Sequence, residues 1–246
     1  MSISNKIHIG TSGWHYDHWK GSFYPVNMDH SDMLGFYSQI FSTVEINNTF
    51  YQIPEENTLL QWKVNVPHGF IFSVKASRYI THMKKLKDPA STVTRFLNNI
   101  NLLGEHRGPI LFQLPPNWNI NRERLRSFLR FLPDGYKYTF EFRDESWFDI
   151  DICNILEEYN ASFCIYEFAG IVSPFIITAD FVYVRLHGPY VAYQGSYSTE
   201  SLEEWAENIT NWEKQGKEVF VYFDNDEKGY APLNARELLS ILDSEN

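Results

Sequence analysis

The sequence predicts an α/β protein whose parallel strands close into a single (β/α)8 TIM barrel. Eight short apolar segments recur along the 246 residues, with helical patterns between most of them. Strands that alternate with helices indicate a parallel sheet, because each parallel return needs a crossover connection. A length of about 250 residues is typical of one such barrel. We therefore expect residues 1–246 to form one TIM-barrel domain.

Nearly every apolar segment ends in a charged residue or an amide, which strands that only build a core avoid. The eight segments end at residues 7–10, 44–47, 72–75, 111–113, 140–143, 164–167, 184–187 and 221–224. In a barrel of parallel strands all carboxyl ends lie on one face, where such folds place their active sites. The sequence thus predicts where a site lies more clearly than what it does.

Helical periodicity is clearest in residues 125–132 and 202–212, where apolar residues repeat at the spacing of one helix face. Ser198 or Thr199 is a suitable cap for the second of these helices. The sixth interval is the weakest, because residues 168–179 are apolar, contain Pro174 and are too short for a good helix. We expect a degenerate sixth helix there.

The composition indicates a folded acidic protein, with 43% hydrophobic residues and a formal net charge of −10. A field of this sign disfavours non-specific binding to nucleic acid and to anionic membranes. The basic stretch 75–87 is a local exception, for which a solvated loop and helix start is the ordinary interpretation. Neither a signal peptide nor a membrane span is evident, so we expect a cytoplasmic protein. Cys153 and Cys164 lack a Cys-x-x-Cys spacing and are expected to be buried free thiols.

Polar or charged residues occur in pairs two positions apart at the strand ends, so both members project to one side of the strand. The pairs are Glu45 with Asn47, Glu141 with Arg143, Arg185 with His187, and Tyr222 with Asp224. An isolated buried ion is costly, so the cations of this face are expected to offset its acids. Each pair is either a structural salt bridge or part of a ligand site.

Three kinds of chemistry fit these residue types. Glu45 and Glu141 could act as general acid and general base. Lys75 could form an imine if it were desolvated. Glu45, Glu141, His187 and Asp224 could bind a divalent metal, but nearby cations would weaken its affinity and no His-x-His spacing occurs. We therefore expect no tightly bound metal and no cofactor.

Several motifs recur here in the order typical of one protein family. They are GTSGW at 10–14, WKG at 19–21, FYP at 23–25, VEIN at 44–47, TFY at 49–51, FQLPP at 112–116, EFR at 141–143, SW at 146–147, RLHG at 185–188 and FDND at 223–226. Together they resemble the YecE-like family, also called domain of unknown function 72. The resemblance implies a TIM barrel similar to those of endonuclease IV and the sugar isomerases. It implies no particular reaction, since function resides in the site and not in the fold.

The chain departs from the pattern of that family at three strand ends. Asp224 stands where the family usually has Asn, Asp144 stands where it usually has His, and Tyr166-Glu167 follows where the sixth strand usually ends near an Asp. The changes at positions 224 and 144 add acid near the expected site.

We therefore expect an enzyme that applies carboxylate acid/base chemistry to a small polar or phosphorylated molecule at the carboxyl end of the barrel. Glu45 and Glu141 are the expected acid and base, and His187 is expected to assist proton transfer. The expected ligand-binding residues are Trp14, Asn47, Tyr51, Lys75, Gln113, Arg143, Arg185 and Asp224. Two alternatives remain open, namely a metal-dependent phosphodiesterase like endonuclease IV that acts on nucleic acid, and a non-catalytic ligand-binding barrel.

Overall fold

A computed structural model describes residues 4–244. Its strands are β1 (Ile7–Thr11), β2 (Thr43–Ile46), β3 (Ile71–Lys75), β4 (Arg107–Gln113), β5 (Tyr138–Glu141), β6 (Ser162–Phe168), β7 (Ile171–Val172), β8 (Phe181–Leu186) and β9 (Glu218–Phe223). All strands except β7 coincide with the eight apolar segments of the sequence. The strand positions inferred from the apolar pattern are therefore confirmed.

Contacts divide the described chain into two compact units. The first unit contains residues 4–45, 165–173 and 180–244, and the second contains residues 46–164 and 174–179. In the first unit β1 pairs with β9, β9 pairs with β8, and β8 is followed by the end of β6. In the second unit β3, β4, β5 and the start of β6 pair in turn. All of these pairs for which a register is defined are parallel, which confirms the predicted α/β class.

The α-helices are α1 (Met33–Tyr37), α2 (Glu56–Val64), α3 (Pro89–Ile100), α4 (Arg122–Phe131), α5 (Ile150–Glu158), α6 (Thr199–Lys214) and α7 (Tyr230–Ser244). In α6 the face predicted from the sequence is buried, from Leu202 to Trp212. Ser198 caps this helix, because its hydroxyl accepts a hydrogen bond from the Ser201 amide at 3.2 Å. Asn121 caps α4 in the same way, with 2.9 Å to the Arg124 amide.

The sixth interval contains no α-helix among the described residues, so the expected degenerate sixth helix is not confirmed. Instead, β6 turns back through Ala169 and Gly170, both with positive φ, into the short antiparallel strand β7. Gly170 adopts this conformation at no steric cost, and Pro174 disfavours a helix beyond β7. A hairpin thus replaces the helix after β6.

Two further expectations of the sequence concern the whole chain. Cys153 in α5 and Cys164 in β6 are buried and free, as predicted. No helix within residues 4–244 is both long enough and apolar enough to cross a bilayer.

Candidate functional site

The strand ends of the first unit converge on Arg185, near the end of β8. A parallel bridge between Ser12 and Glu45 places the Glu45 carboxylate beside the guanidinium. Arg185 donates from Nη2 to Glu45 Oε1 at 2.7 Å and from Nε to Glu45 Oε2 at 3.0 Å. This is a bidentate pair, and neither side chain has any exposed surface. Together with Ser12, His187 and Asp224, this pair is called the Arg185 cluster below.

Glu45 is enclosed by donors. Besides Arg185, the Ser12 hydroxyl donates to its Oε1 at 2.6 Å, and the Tyr183 hydroxyl donates to its Oε2 at 2.6 Å. Burial, foremost, and the Glu45 charge raise the pKa of Tyr183 well above its usual value, so this phenol stays a donor. With both oxygens bonded twice and no exposed surface, Glu45 is better suited to hold the strands than to exchange protons with a ligand.

His187 is held between a carboxylate and a guanidinium. Its Nδ1 lies 2.9 Å from Asp224 Oδ2, and its Nε2 lies 3.2 Å from Arg185 Nη1. Because a guanidinium only donates, Nε2 must accept, and Nδ1 therefore carries the proton that it donates to Asp224. The hydrogen-bond network thus assigns a neutral ring whose lone pair is already engaged. This geometry favours an orienting role for His187 over the expected transfer of protons.

Two carboxylates that follow β9 mark the partly open side of the Arg185 cluster. Asp224 accepts from Arg185 Nη2 at 3.2 Å and keeps 15% of its side chain exposed. Asp226 accepts from Trp19 Nε1 at 2.5 Å, and its other oxygen lies 3.0 Å from His18 Nε2. Burial, aided by the charge of Asp224 and opposed by the Trp19 bond, raises the pKa of Asp226 to about 6. In the sequence, Asp226 stands out only as part of the FDND motif, and it was not among the predicted site residues.

This shift predicts how stability depends on pH. The pKa of the Asp226 carboxyl is higher in the folded chain than in the unfolded chain. The protonated carboxyl therefore contributes fully to the free energy of unfolding below the unfolded pKa near 3.8, and this contribution is lost as the pH rises through about 6. The amide of Asp226→Asn does not ionise, so the variant does not lose stability in this way. Relative to the parent protein, the variant should therefore gain melting temperature between pH 4 and pH 7 and gain no more above. Asp29→Asn, at an exposed carboxyl, is the control, and parallel curves for Asp226→Asn and the parent would contradict the expectation.

Trp14 does not present an open face. Its side chain is 7% exposed, and its carbonyl accepts a hydrogen bond from the Tyr24 hydroxyl at 2.6 Å. The residue therefore packs within the loop after β1. Its expected role in a ligand-binding wall stays a prediction.

In the second unit, polar side chains meet at the ends of β3, β4 and β5. Lys75 is level with Leu111, and Gln113 is level with Glu141. Because side chains alternate along a strand, Lys75 and Gln113 share one face of the sheet with Glu141 and Arg143. These four residues are called the Glu141 cluster below.

Glu141 is the buried centre of this cluster. It has no exposed surface, and it accepts hydrogen bonds from Gln113 Nε2 at 2.8 Å and from Arg143 Nε. Arg143 keeps 11% of its side chain exposed. Lys75 Nζ lies 4.7 Å from the ring centre of Phe50, a cation–π distance. The Glu141 cluster thus contains two cations and one carboxylate.

Asn47 and Tyr51 follow β2 in the second unit. The Oδ1 atom of Asn47 is buried and has no hydrogen-bond partner among the described residues. Tyr51 is 81% exposed. A buried acceptor without a partner is unusual in a folded protein. The expected ligand-binding roles of Asn47 and Tyr51 stay predictions.

The structure brings Glu45, Arg185, His187 and Asp224 together in one cluster, and Gln113, Glu141 and Arg143 together in another. That all the expected site residues surround one barrel mouth stays a prediction. Within residues 4–244 no group of three His, Cys, Asp or Glu side chains is arranged to hold a metal ion. Arg185 contacts Glu45, His187 and Asp224, which together with Glu141 are the set considered for metal binding.

Comparisons with known proteins identify the family. The sequence profile described as protein of unknown function DUF72 matches residues 8–246, so the chain belongs to this family. The UPF0759 protein YunF of Bacillus subtilis is 27% identical, over 97% of this chain and 95% of that protein. The UPF0759 protein YecE of Escherichia coli is 29% identical over 58% of this chain and 50% of its own length. The resemblance drawn from the motifs is therefore confirmed.

A solved structure agrees with this assignment. The crystal structure of a DUF72 family protein from Thermotoga maritima superimposes with a TM-score of 0.84 at 28% identity. The match covers 96% of this chain and 98% of that one. The fold of the chain is therefore that of the DUF72 family.

Proposed function

We propose that this protein is an enzyme whose strands close into a (β/α)8 barrel and which acts on a small ligand with an anionic group. The observation that supports this most is the Glu141 cluster, where Arg143 pairs with a buried carboxylate and Lys75 ends β3 on the same face of the sheet. Partly buried cations at strand ends are suited to hold phosphate or carboxylate groups. The parallel bridge between Ser12 and Glu45 supports closure, because it joins β1 to β2.

Acid/base chemistry in this proposal belongs to Glu141. Both carboxylates are buried, but Arg143, which donates to Glu141, keeps 11% of its side chain exposed, whereas Arg185, which donates to Glu45, has no exposed surface. Arg143 and Lys75 hold the anionic group of the ligand. Glu141 then exchanges a proton with the part of the ligand that lies against it, and Gln113 fixes the carboxylate by its hydrogen bond.

Anion titration tests the binding half of the proposal. Inorganic phosphate and pyrophosphate are titrated into the protein by calorimetry, and Lys75→Met and Arg143→Met are each expected to weaken binding about tenfold or more, as loss of a charge-assisted hydrogen bond does. Arg130→Met, which removes an exposed cation from α4 of the same unit, is the matched control. Glu141→Gln should bind phosphate at least as tightly, because it removes a negative charge from the cluster.

Two results would contradict the proposal. If the parent protein binds neither anion at millimolar concentration, the Glu141 cluster is a structural ion pair. The same conclusion follows if Arg130→Met weakens binding as much as Lys75→Met and Arg143→Met do. Melting curves of every variant separate loss of binding from loss of fold.

A further inference from the structure

A second concave site lies in the second unit, between the loop after β2 and the loop after β3. Its volume is about 410 Å³, and Tyr51, Ser77, Tyr79, Ser91 and Arg95 are among the residues that line it. We call it the tyrosine pocket. Ligand sites of small molecules fall in this range of volume, and loops after parallel strands commonly build them.

The tyrosine pocket combines aromatic surface with a cation. Tyr51 is 81% exposed and Tyr79 is 46% exposed, so both side chains are accessible to a ligand. Arg95 is the one charged residue among the described residues that line the pocket, and it forms no ion pair with any other described residue. A guanidinium without a carboxylate partner is free to bind an anion.

The surroundings of the tyrosine pocket are basic, although the chain as a whole is strongly acidic. Residues 75–87 contain five Lys or Arg and no Asp or Glu. Lys84 Nζ lies over the Tyr79 ring, 5.7 Å from its centre, and forms an ion pair with Asp88 at 3.5 Å. The local charge thus favours an anion where the net charge of −10 would repel it.

The backbone of this loop is strained at several residues. Residues 79–83 form a π-helix, and Lys85, Leu86 and Asp88 all have positive φ. Leu86 is buried, so packing accounts for part of this geometry. π-Helical turns and left-handed non-glycine residues each cost energy and cluster at functional sites.

From these observations we infer that the tyrosine pocket binds a nucleotide unit, with the base stacked on Tyr51 and Tyr79 and the phosphate bound by Arg95. Base–aromatic stacking tolerates every base, and an arginine fork matches a phosphate. This inference does not depend on the Glu141 cluster. The bound group is one base with one phosphate, which either a free nucleotide or one unit of a single-stranded nucleic acid supplies.

The groove beside the tyrosine pocket indicates that the pocket binds only one nucleotide unit. A larger concavity of about 770 Å³ shares Ile53, Ser91 and Arg95 with the tyrosine pocket, but Glu55 and Glu56 also line it. A second phosphate in that groove would meet two carboxylates. The phosphate position that charge favours is therefore the one at Arg95.

Binding of defined probes to the full chain tests the inference. AMP, UMP, adenosine, ribose 5-phosphate and octauridylate are titrated by calorimetry at low and at physiological salt. AMP and UMP are expected to bind more tightly than adenosine, which lacks the phosphate, and than ribose 5-phosphate, which lacks the base. Octauridylate that binds no better than UMP identifies a free nucleotide as the ligand, and much tighter binding identifies a single strand.

Variants locate the binding. Tyr51→Ala and Tyr79→Ala should each weaken AMP binding about tenfold, which is the usual effect of losing one stacking ring. Arg95→Met should weaken AMP binding and leave adenosine binding unchanged. Tyr190→Ala, at a tyrosine that is 80% exposed in the first unit, is the matched control. Lys75→Met separates this site from the Glu141 cluster, because it should not alter adenosine binding.

Three results would overturn the inference. One is that none of the probes binds at millimolar concentration. Another is that ribose 5-phosphate binds as tightly as AMP, because then the rings contribute nothing. The last is that Tyr51→Ala and Tyr79→Ala bind AMP as the parent does, with melting curves that confirm folded protein.

Discussion

Replacing Arg185 by Met should destabilise the protein by about 3–5 kcal/mol, the usual effect of breaking a buried ion pair. The guanidinium is fully buried and donates to both oxygens of Glu45, so its removal leaves that carboxylate buried without its charge partner. At about 2–4 °C per kcal/mol for a domain of this size, the melting temperature should fall by roughly 6–20 °C. Thermal and urea unfolding measure both quantities.

A second substitution distinguishes a stranded charge from a lost side chain. If the charge of Glu45 causes the loss, the double variant Glu45→Gln with Arg185→Met should be more stable than Arg185→Met alone. Arg130→Met, at an exposed site, should change stability by less than about 0.5 kcal/mol. If Arg185→Met has the melting temperature of the parent protein but loses phosphate binding, Arg185 is a ligand residue, as the sequence predicts.

Replacing Gly188 by Ala should destabilise the protein by about 2–6 kcal/mol, the sum of backbone strain and a steric clash. Gly188 has φ +119°, and an added Cβ would lie 2.4 Å from the Gln194 carbonyl oxygen and 2.5 Å from that of Val191. Both contacts are with backbone, which cannot rotate away. Because Gly188 follows His187, the shift should also disturb the hydrogen bond to Asp224.

Gly69→Ala is the matched control for this second prediction. Gly69 also has positive φ, at +83°, but no atom lies within 4 Å of its added Cβ. Its variant should therefore lose only the strain of a left-handed residue, about 1–2 kcal/mol. Equal losses for both variants in urea unfolding would mean that the close approach at Gly188 contributes nothing.

Much of the fold could be predicted from the sequence, because burial leaves a periodic pattern. Strands buried on both faces read as apolar runs, and α6 reads as one apolar stripe. Helix α2 left no such pattern, since Leu59 is its only buried residue. The hairpin after β6 was also missed, because an apolar segment with Pro174 does not distinguish a poor helix from a short edge strand.

The site could be predicted only in part. Position at a strand end correctly grouped Glu45 with Arg185 and Asp224, because the carboxyl ends of parallel strands lie together. The sequence did not reveal that Ser12 and Tyr183 enclose Glu45, since both partners come from other strands. Nor did it reveal Asp226, whose environment depends on Trp19, a residue more than 200 positions away.

Asp224 couples the acidity of one residue to the charge of another. The Arg185 cluster holds two carboxylates, Glu45 and Asp224, beside one guanidinium. The charge of Asp224 is one of the causes that raise the pKa of Asp226 to about 6. A neutral side chain at position 224 would therefore let Asp226 ionise at lower pH, without any change to Asp226 itself.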